Sequence, residues 1–465
     1  MKQLLEEIVR RQGDYLELRF QETVTNSFMA QKGRVDQSST STYSGVGVRI
    51  LVEGSWGFST TSDTARPSIE RAVELARENA VELSKCQKHK VSGLARGEIV
   101  REDYVEEGYE ELVRLPIEAR IEKVVAAEKE LLKESSRIHT AMVGYKEILE
   151  NRTVVTSDGA SCTYRVARPE FRARAMAGSE SEQQSSHNSV GVTGGWTSLF
   201  AHPSMQGILA STAREVVELL SAAHAEGGRQ TVILSPALVG LLCHEAIGHT
   251  VEADFVLAGS VAKEKIGQRV ASDLITLCDG GRSHHGGFPA GALPFDDEGV
   301  RCSTTTIIEN GLLKNYLHNK ETAHIFGVEP RGNARAWSFS DEPLVRMTNT
   351  WLEPGDSSLE EMIAATDQGL LIIGAGGGQA DATGEFMFGS SYAYEIKGGK
   401  RGKMLREVSL SGVAFDVLQT VDMVSSDFLW DLGSGYCGKG QPAKVDAGGP
   451  HIRCSLTVGG RREED

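Results

Sequence analysis

After one helical stretch near residues 236–256, the chain up to residue 458 reads as short β-like runs separated by Gly, Asp and Asn turns. That rhythm constrains the fold more than any other feature, because it predicts a compact, mainly β, barrel-like C-terminal domain. Just upstream, His224–Gln230 reads HAEGGRQ, with two glycines and no apolar periodicity, and marks the clearest domain boundary. The expected class is α+β. An N-terminal α/β region of helices and antiparallel strands spans 1–224, divisible into 1–90 and 114–224; the β domain spans 230–458; a charged, frayed tail covers 459–465.

In the N-terminal region, Leu4, Leu5, Ile8 and Val9 have helical spacing up to Gly13, and Leu16, Leu18 and Phe20 then alternate with polar residues as in a half-buried strand. The stretch Gly45–Phe58, GVGVRILVEGSWGF, predicts a hairpin turning at Glu53-Gly54-Ser55. Pro67 suits a first helical position before the apolar stripe Ile69, Ala72, Val73, Ala76 and Ala80, so the order begins α, β, β, α. Residues 88–113 show no periodicity and are expected to form a linker. A long amphipathic helix follows through Ile117, Ile121, Val124, Val125, Leu131 and Leu132, and two strands are joined across Ser157-Asp158-Gly159. The polar segment 178–195 is expected to be a loop or an exposed edge, and a further helix carries Ile208, Val216, Val217, Leu219 and Leu220.

Acidic residues outnumber basic ones by 64 to 49, giving a formal charge of −15, which argues against nucleic acid or an anionic membrane as the main partner. No apolar run approaches the roughly 20 residues needed to span a bilayer, so a cytoplasmic protein is expected. The seven cysteines are odd in number and contain no CxxC pair. A disulfide framework is therefore not expected, and most of them should be buried as small hydrophobes.

The strongest chemical signal is Cys243-His244-Glu245-Ala246-Ile247-Gly248-His249. Ser235 suits an N-cap and Pro236 a first helical position, which puts His244 and Glu245 on the third turn of a helix. Imidazole suits zinc, and an adjacent carboxylate can take a proton from water whose pKa a metal has lowered to about 7. The histidines, however, are five apart, about 140° around an ideal helix, and not four apart as in HExxH. They converge only if the helix is slightly unwound, which Gly248 could permit. The spacing alone leaves open both a metal site and a chance pairing of histidines.

An open zinc site needs a third protein ligand. Glu252 and Asp254 are nearby candidates. Cys437 is a distant one, in the loop Gly433-Ser434-Gly435-Tyr436-Cys437-Gly438-Lys439-Gly440, where the backbone can approach an ion closely and a lysine favours thiolate. It remains either a ligand or a plain loop thiol. Cys243 is expected to pack in the core.

At this point the sequence resembles the TldD/PmbA family, once called modulators of DNA gyrase. The resemblance runs through HEAIGH at 244–249, Glu252-Ala253-Asp254, Asp296-Asp297-Glu298-Gly299, Arg346-Met347-Thr348-Asn349-Thr350, Gly376-Gly377-Gly378-Gln379 with Asp381, and Tyr436-Cys437-Gly438-Lys439; the N-terminal GVGVRILVEGSWGF matches too. It covers nearly the full length. It implies a zinc metallopeptidase of the TldD branch, with His244, His249 and Cys437 binding one Zn²⁺ per catalytic subunit and Glu245 as general base. It further implies an extended or unfolded polypeptide substrate and a dimer, either a homodimer or a heterodimer with a PmbA/TldE-like subunit. Cys454 has no role in that pattern and is read as structural. The chain's acidity and its lack of a nucleic-acid motif give the gyrase name no support.

Other signals are weaker. Gly374–Gln379 fails the dinucleotide and phosphate-loop patterns and reads better as close backbone approach, to the catalytic helix or to a peptide along a strand edge. Gly376, Gly377, Gly378 and Gln379 are therefore candidate substrate contacts. His284 and His285 could bind a second metal, but are expected to be solvated. Asp296, Asp297 and Glu298 could bind a cation or an amino group, and are expected to form a solvated turn. Two rival readings stand beside the peptidase: a non-catalytic dimeric binding or scaffold protein of the PmbA type with a structural metal site, and a thiol hydrolase with Cys437 as nucleophile and His451 as base.

Overall fold

The structure, a computed structural model, describes residues 1–179 and 182–460. Of the expected tail, residues 461–465 lie outside the described residues, whereas Gly459 ends the strand Ile452–Gly459.

The N-terminal half is built on a seven-stranded sheet. Its order runs Ser55–Thr61, Arg34–Val52, Tyr15–Gln31, Ile138–Thr156 and Ser161–Gly178, with Asp103–Val105 and Gln183–Gly191 both pairing to the last of these. The turn at Glu53-Gly54 has both residues at positive φ, as a tight hairpin twisted with its strands requires, and Thr156 to Ser161 closes the second predicted hairpin. Alternation along the strands sorts side chains between two faces. One face, with Leu16, Leu18, Phe28, Val48, Tyr145 and Phe171, packs against the helices Lys2–Val9, Arg66–Ser84, Ile117–Lys133 and Met205–Leu219. The helix Arg66–Ser84 sits close because Gly57 faces it: a Cβ there would lie 1.9 Å from the Ala76 carbonyl oxygen.

The opposite face of that sheet differs from expectation. Glu17, Arg19 and Gln21 were expected on the wet side of a half-buried strand, yet all three are buried, because the C-terminal half covers them. The expected solvated turn Asp296–Glu298 is what meets them. Arg152 Nη1 donates to both Asp297 oxygens at 2.6 and 2.7 Å, and Arg49 bridges Glu17 at 2.8 Å and Glu298 at 2.5 Å. Asp296 turns inward and accepts from the Glu298, Val300 and Ala334 amides. The acidic turn is thus a buried joint between the halves, its charge matched by arginines from the sheet.

The C-terminal half contains a closed barrel of five strands, Gln368–Ala380, Gly228–Leu234, Ile452–Gly459, Ser409–Val413 and Glu385–Lys397, the last pairing back to the first. Beside it lies a six-stranded sheet that includes Leu277–Gly280, Asn349–Leu352 and Asp446–Gly449. Cys243, Cys454, Val232, Leu370, Phe388 and Ile452 share one apolar core, which gives both cysteines the structural role expected of them. Burial pushes each of these two thiols up to about 12.

Several short elements departed from the sequence reading. The segment 88–113 contains the strand Asp103–Val105 and most of the helix Tyr109–Arg114, whereas 178–195 supplies the half-exposed edge strand Gln183–Gly191, one of the two forms expected of it. Three short helices, Lys320–Phe326, Leu359–Ala364 and Ala414–Gln419, interrupt the expected run of β structure. Each is six or seven residues long, too short to show a period against neighbouring strands. No helix among the described residues is long and apolar enough to cross a membrane.

Candidate metal centre

The strand Gly228–Leu234 leaves the barrel through Ser235 into the helix Pro236–Leu241, whose axis runs straight into a π-helical turn, Leu242–Gly248, and then a single 3₁₀ turn, His249–Val251. The π turn resolves the spacing problem. The backbone N–H of His249 donates to the carbonyl of His244, an i→i+5 bond that sets residues five apart one turn above each other. The two imidazole centroids stand 5.2 Å apart. Gly248 contributes differently from expectation. Its backbone is ordinary right-handed helix, and what matters is the missing side chain, since a Cβ would lie 2.0 Å from Met347 Sδ.

Cys437 comes to this helix on the hairpin Tyr436–Gly438 with Pro442–Lys444. Arg346 fixes the hairpin's backbone: its guanidinium donates to the Cys437 carbonyl at 2.9 Å and the Gln441 carbonyl at 2.8 Å. The thiol then lies 3.1 Å from His249 Nε2. One ligand-type atom from each of His244, His249 and Cys437 falls within 4.8 Å of the others. Burial alone would raise the Cys437 thiol, but the two histidines outweigh it and hold it down at about 4, which favours the thiolate form that a metal ligand needs.

Two further observations test whether a cation suits this set. His244 is buried and neither of its ring nitrogens has a hydrogen-bond partner, a costly state for a polar ring unless something outside the protein's own atoms satisfies it. His249, in contrast, is oriented: its Nδ1 is 2.8 Å from Glu252 Oε2, leaving Nε2 turned to the thiol. A carboxylate behind an imidazole is the usual arrangement at metal sites. The residues fit a zinc-class ion.

Glu252 and Asp254, weighed above as third ligands, serve elsewhere. Lys439 Nζ pairs with Glu252 at 3.1 Å and Asp254 at 2.7 Å, tying the cysteine hairpin to the helix end. Its charge is therefore spent on carboxylates, and the imidazoles are what favour thiolate at Cys437. His451, the base of the thiol-hydrolase reading, lines the same cleft as Cys437. Its Nδ1 is held by Asp427 at 2.8 Å. Arg346 was quoted in the sequence motif without a role, and only its long-range contacts disclose one.

His244, Cys437 and Glu245 line a cleft of about 1220 Å³ between the two halves, and His249 stands behind them. Glu245 lines it, with an Oε2 3.8 Å from His249 Nε2. Gly376 and Gly377 line it as well, whereas Gly378 and Gln379 continue the same strand outside the lining. That strand pairs on one side with Glu385–Lys397, and on the other only Leu370–Ile372 are paired, to Val232–Leu234. The remaining edge beside the cleft carries no ladder.

Residues 16–80, 110–223 and 227–460 match the families described as PmbA/TldA metallopeptidase domain 1, central domain and C-terminal domain. A metalloprotease of Methanocaldococcus jannaschii is 33% identical over 457 residues, covering 96% of this chain and 97% of its own. A metalloprotease TldD homolog of Haemophilus influenzae is 30% identical, covering 97% and 94%. A zinc metalloprotease TldD homolog of Saccharolobus solfataricus is 36% identical over 54% of this chain and 56% of its own. Among solved structures, TldE from Thermococcus kodakarensis superposes with a TM-score of 0.78 at 18% identity, over 98% of this chain and 99% of its own. A Thermotoga maritima protein described as a modulator of a DNA gyrase gives 0.80 at 21%, over 98% and 100%. At those identities the two structures speak to the fold.

Proposed function

The chain belongs to the PmbA/TldD metallopeptidase family, and we propose that it hydrolyses peptide bonds in extended or unfolded polypeptides, using one Zn²⁺ held by His244, His249 and Cys437. The observation that carries this reading is the unpartnered, buried His244 ring facing the Cys437 thiol at the cleft floor. Zn²⁺ in that place supplies Lewis-acid polarisation of the scissile carbonyl and a lowered pKa for the attacking water.

The protein's own groups do the rest. Glu245, on the cleft wall, takes the water proton on its carboxylate and returns it to the leaving amine nitrogen. Glu252 holds the His249 ring so that Nε2 faces inward. The unpaired strand edge at Gly376 and Gly377, continued by Gly378 and Gln379, offers backbone groups to a peptide laid alongside it, a mode that selects extended chains. A cleft walled by both halves excludes a folded substrate from the Glu245 carboxylate. The catalytic unit is proposed to be residues 230–458, the location cytoplasmic, and the working assembly a dimer with a second copy or with a PmbA/TldE-like subunit.

The test is metal analysis with cleavage of an unfolded protein by wild type and Glu245→Gln. Wild type is expected to cleave and to lose activity to a chelator, while the variant keeps its zinc and cleaves at least 10²-fold more slowly. Equal metal and equally little cleavage in both would favour the scaffold reading. Chelator-resistant cleavage would favour thiol chemistry at Cys437.

A further inference from the structure

One other set of three ligand-type side chains converges among the described residues: His284, His285 and Glu353, each offering an atom within 4.8 Å of the others. Both histidines were expected to be solvated; His284 is exposed, and His285 is not. His285 is only 15% exposed, and its Nε2 lies 2.7 Å from Glu353 Oε2; the His284 Nε2 approaches that same oxygen at 3.4 Å.

The protein has shaped this convergence. His284 and His285 sit side by side in a turn, with their ring centroids 4.1 Å apart. The loop that turns them together runs into Gly286 and Gly287, both at positive φ, and is pinned by Trp430, whose indole N–H donates to the Gly286 carbonyl at 3.1 Å. His285 is stacked on Phe428 with centroids 4.2 Å apart. Glu353 follows the strand Asn349–Leu352, and its Oε1 accepts from the Trp351 indole at 2.8 Å. That fixes the carboxylate and leaves Oε2 turned toward both imidazoles.

We propose that His284, His285 and Glu353 form a second, exchangeable site for a divalent transition metal at the rim of the cleft. Two imidazoles and one carboxylate are a donor set for Zn²⁺, Co²⁺, Ni²⁺ or Cu²⁺, and too poor in oxygen for Ca²⁺ or Mg²⁺. His284 is 68% exposed, so the ion keeps solvent-filled positions and exchanges readily. Phe428 stacks on His285, and the residues just after it, Leu429, Asp431 and Leu432, line the cleft. Metal at the rim therefore ties the 282–287 loop and the end of the strand at Glu353 to that wall. The site is separate from His244, His249 and Cys437 and does not depend on the peptidase reading.

Metal-free full-length protein titrated with Co²⁺, followed by its d–d absorption and by equilibrium dialysis, tests the proposal. Wild type is expected to bind two equivalents, the weaker of which is lost in His284→Ala and in Glu353→Gln while the tighter is kept. His284→Ala removes an exposed ring and should leave the fold intact by circular dichroism. Adding His244→Ala to wild type should remove the tighter equivalent alone. If His284→Ala and Glu353→Gln, both folded, bind as much Co²⁺ as wild type, the second site does not exist. If wild type binds one equivalent and His284→Ala removes it, the rim site stands and the proposed catalytic metal fails. Binding of Mg²⁺ with equal strength would also overturn the assignment.

Discussion

At the scale of single residues, the site divides labour between groups that face the cleft and groups that hold them. Glu252 is the sharpest case, because sequence proximity made it a candidate ligand and the fold makes it the orienting partner of His249. Glu252→Ala is expected to weaken zinc binding by about 10–100-fold while leaving His244, His249 and Cys437 in place, measured by competition with a chromophoric chelator. Unchanged affinity would mean that the ring is held by packing alone. The conservative Glu252→Gln, which can still accept from an imidazole N–H, should recover part of the loss.

At the scale of the element, the helix carrying His244 and His249 brings its two rings together because it changes pitch. An uninterrupted α-helix would leave His244 and His249 on different faces, and the π turn brings them one above the other. Gly248 is tied to that geometry through Met347, whose sulfur occupies the space a side chain would take. Gly248→Ala is expected to destabilise the protein by about 1–3 kcal/mol, as overpacking does, and to lower zinc content as the turn shifts. Met347→Ala in the same chain should restore much of both, read by urea denaturation and metal analysis. An additive double variant would show that the close contact does not couple them. The motif around Met347 is a framework for the site: Arg346 holds the Cys437 hairpin, and Thr348 and Thr350 donate to the buried Asp279.

At the scale of the whole molecule, the N-terminal sheet is covered by helices on one face, and around Glu17, Arg19, Arg49 and Arg152 by the C-terminal half through ion pairs on the other. Asp297→Ala leaves Arg152 buried without its main partner and is expected to cost about 3–5 kcal/mol, with loss of the cleft between the halves; thermal unfolding and limited proteolysis would report it. A second joint gives a pH signature. Lys444 Nζ pairs with Glu170 at 2.7 Å across the same boundary, and burial, only partly offset by that carboxylate, lowers its ammonium to about 8. Between about pH 8 and 10.5 the unfolded chain holds a proton that the folded chain has released, so this group makes stability rise with pH across that window. The gain is about 3 kcal/mol at its upper end, and below about 8 it is absent. Denaturation midpoints of wild type and Lys444→Met at pH 7.5, 9 and 10.5 should diverge accordingly, and parallel curves would refute the assignment.

What could be read from the chain alone was whatever lies within a few residues. Two hairpins, the apolar stripes of the long helices, the core cysteines and the β-rich barrel half all follow from local periodicity and turn chemistry, and the ordered motifs carried the family. The histidine pair was visible too, but its geometry was not. The π turn is packed against Met347, about a hundred residues downstream, a contact that the local sequence does not announce. The acidic turn Asp296–Glu298 and His285 looked like solvent-exposed loop chemistry because their partners, Arg49, Arg152 and Glu353, are far away in sequence. Charge and hydrogen-bonding capacity are properties of a residue and are written in its identity. Whether that capacity meets water, an opposite charge or another ligand atom is a property of three-dimensional neighbours, and only folding assigns those.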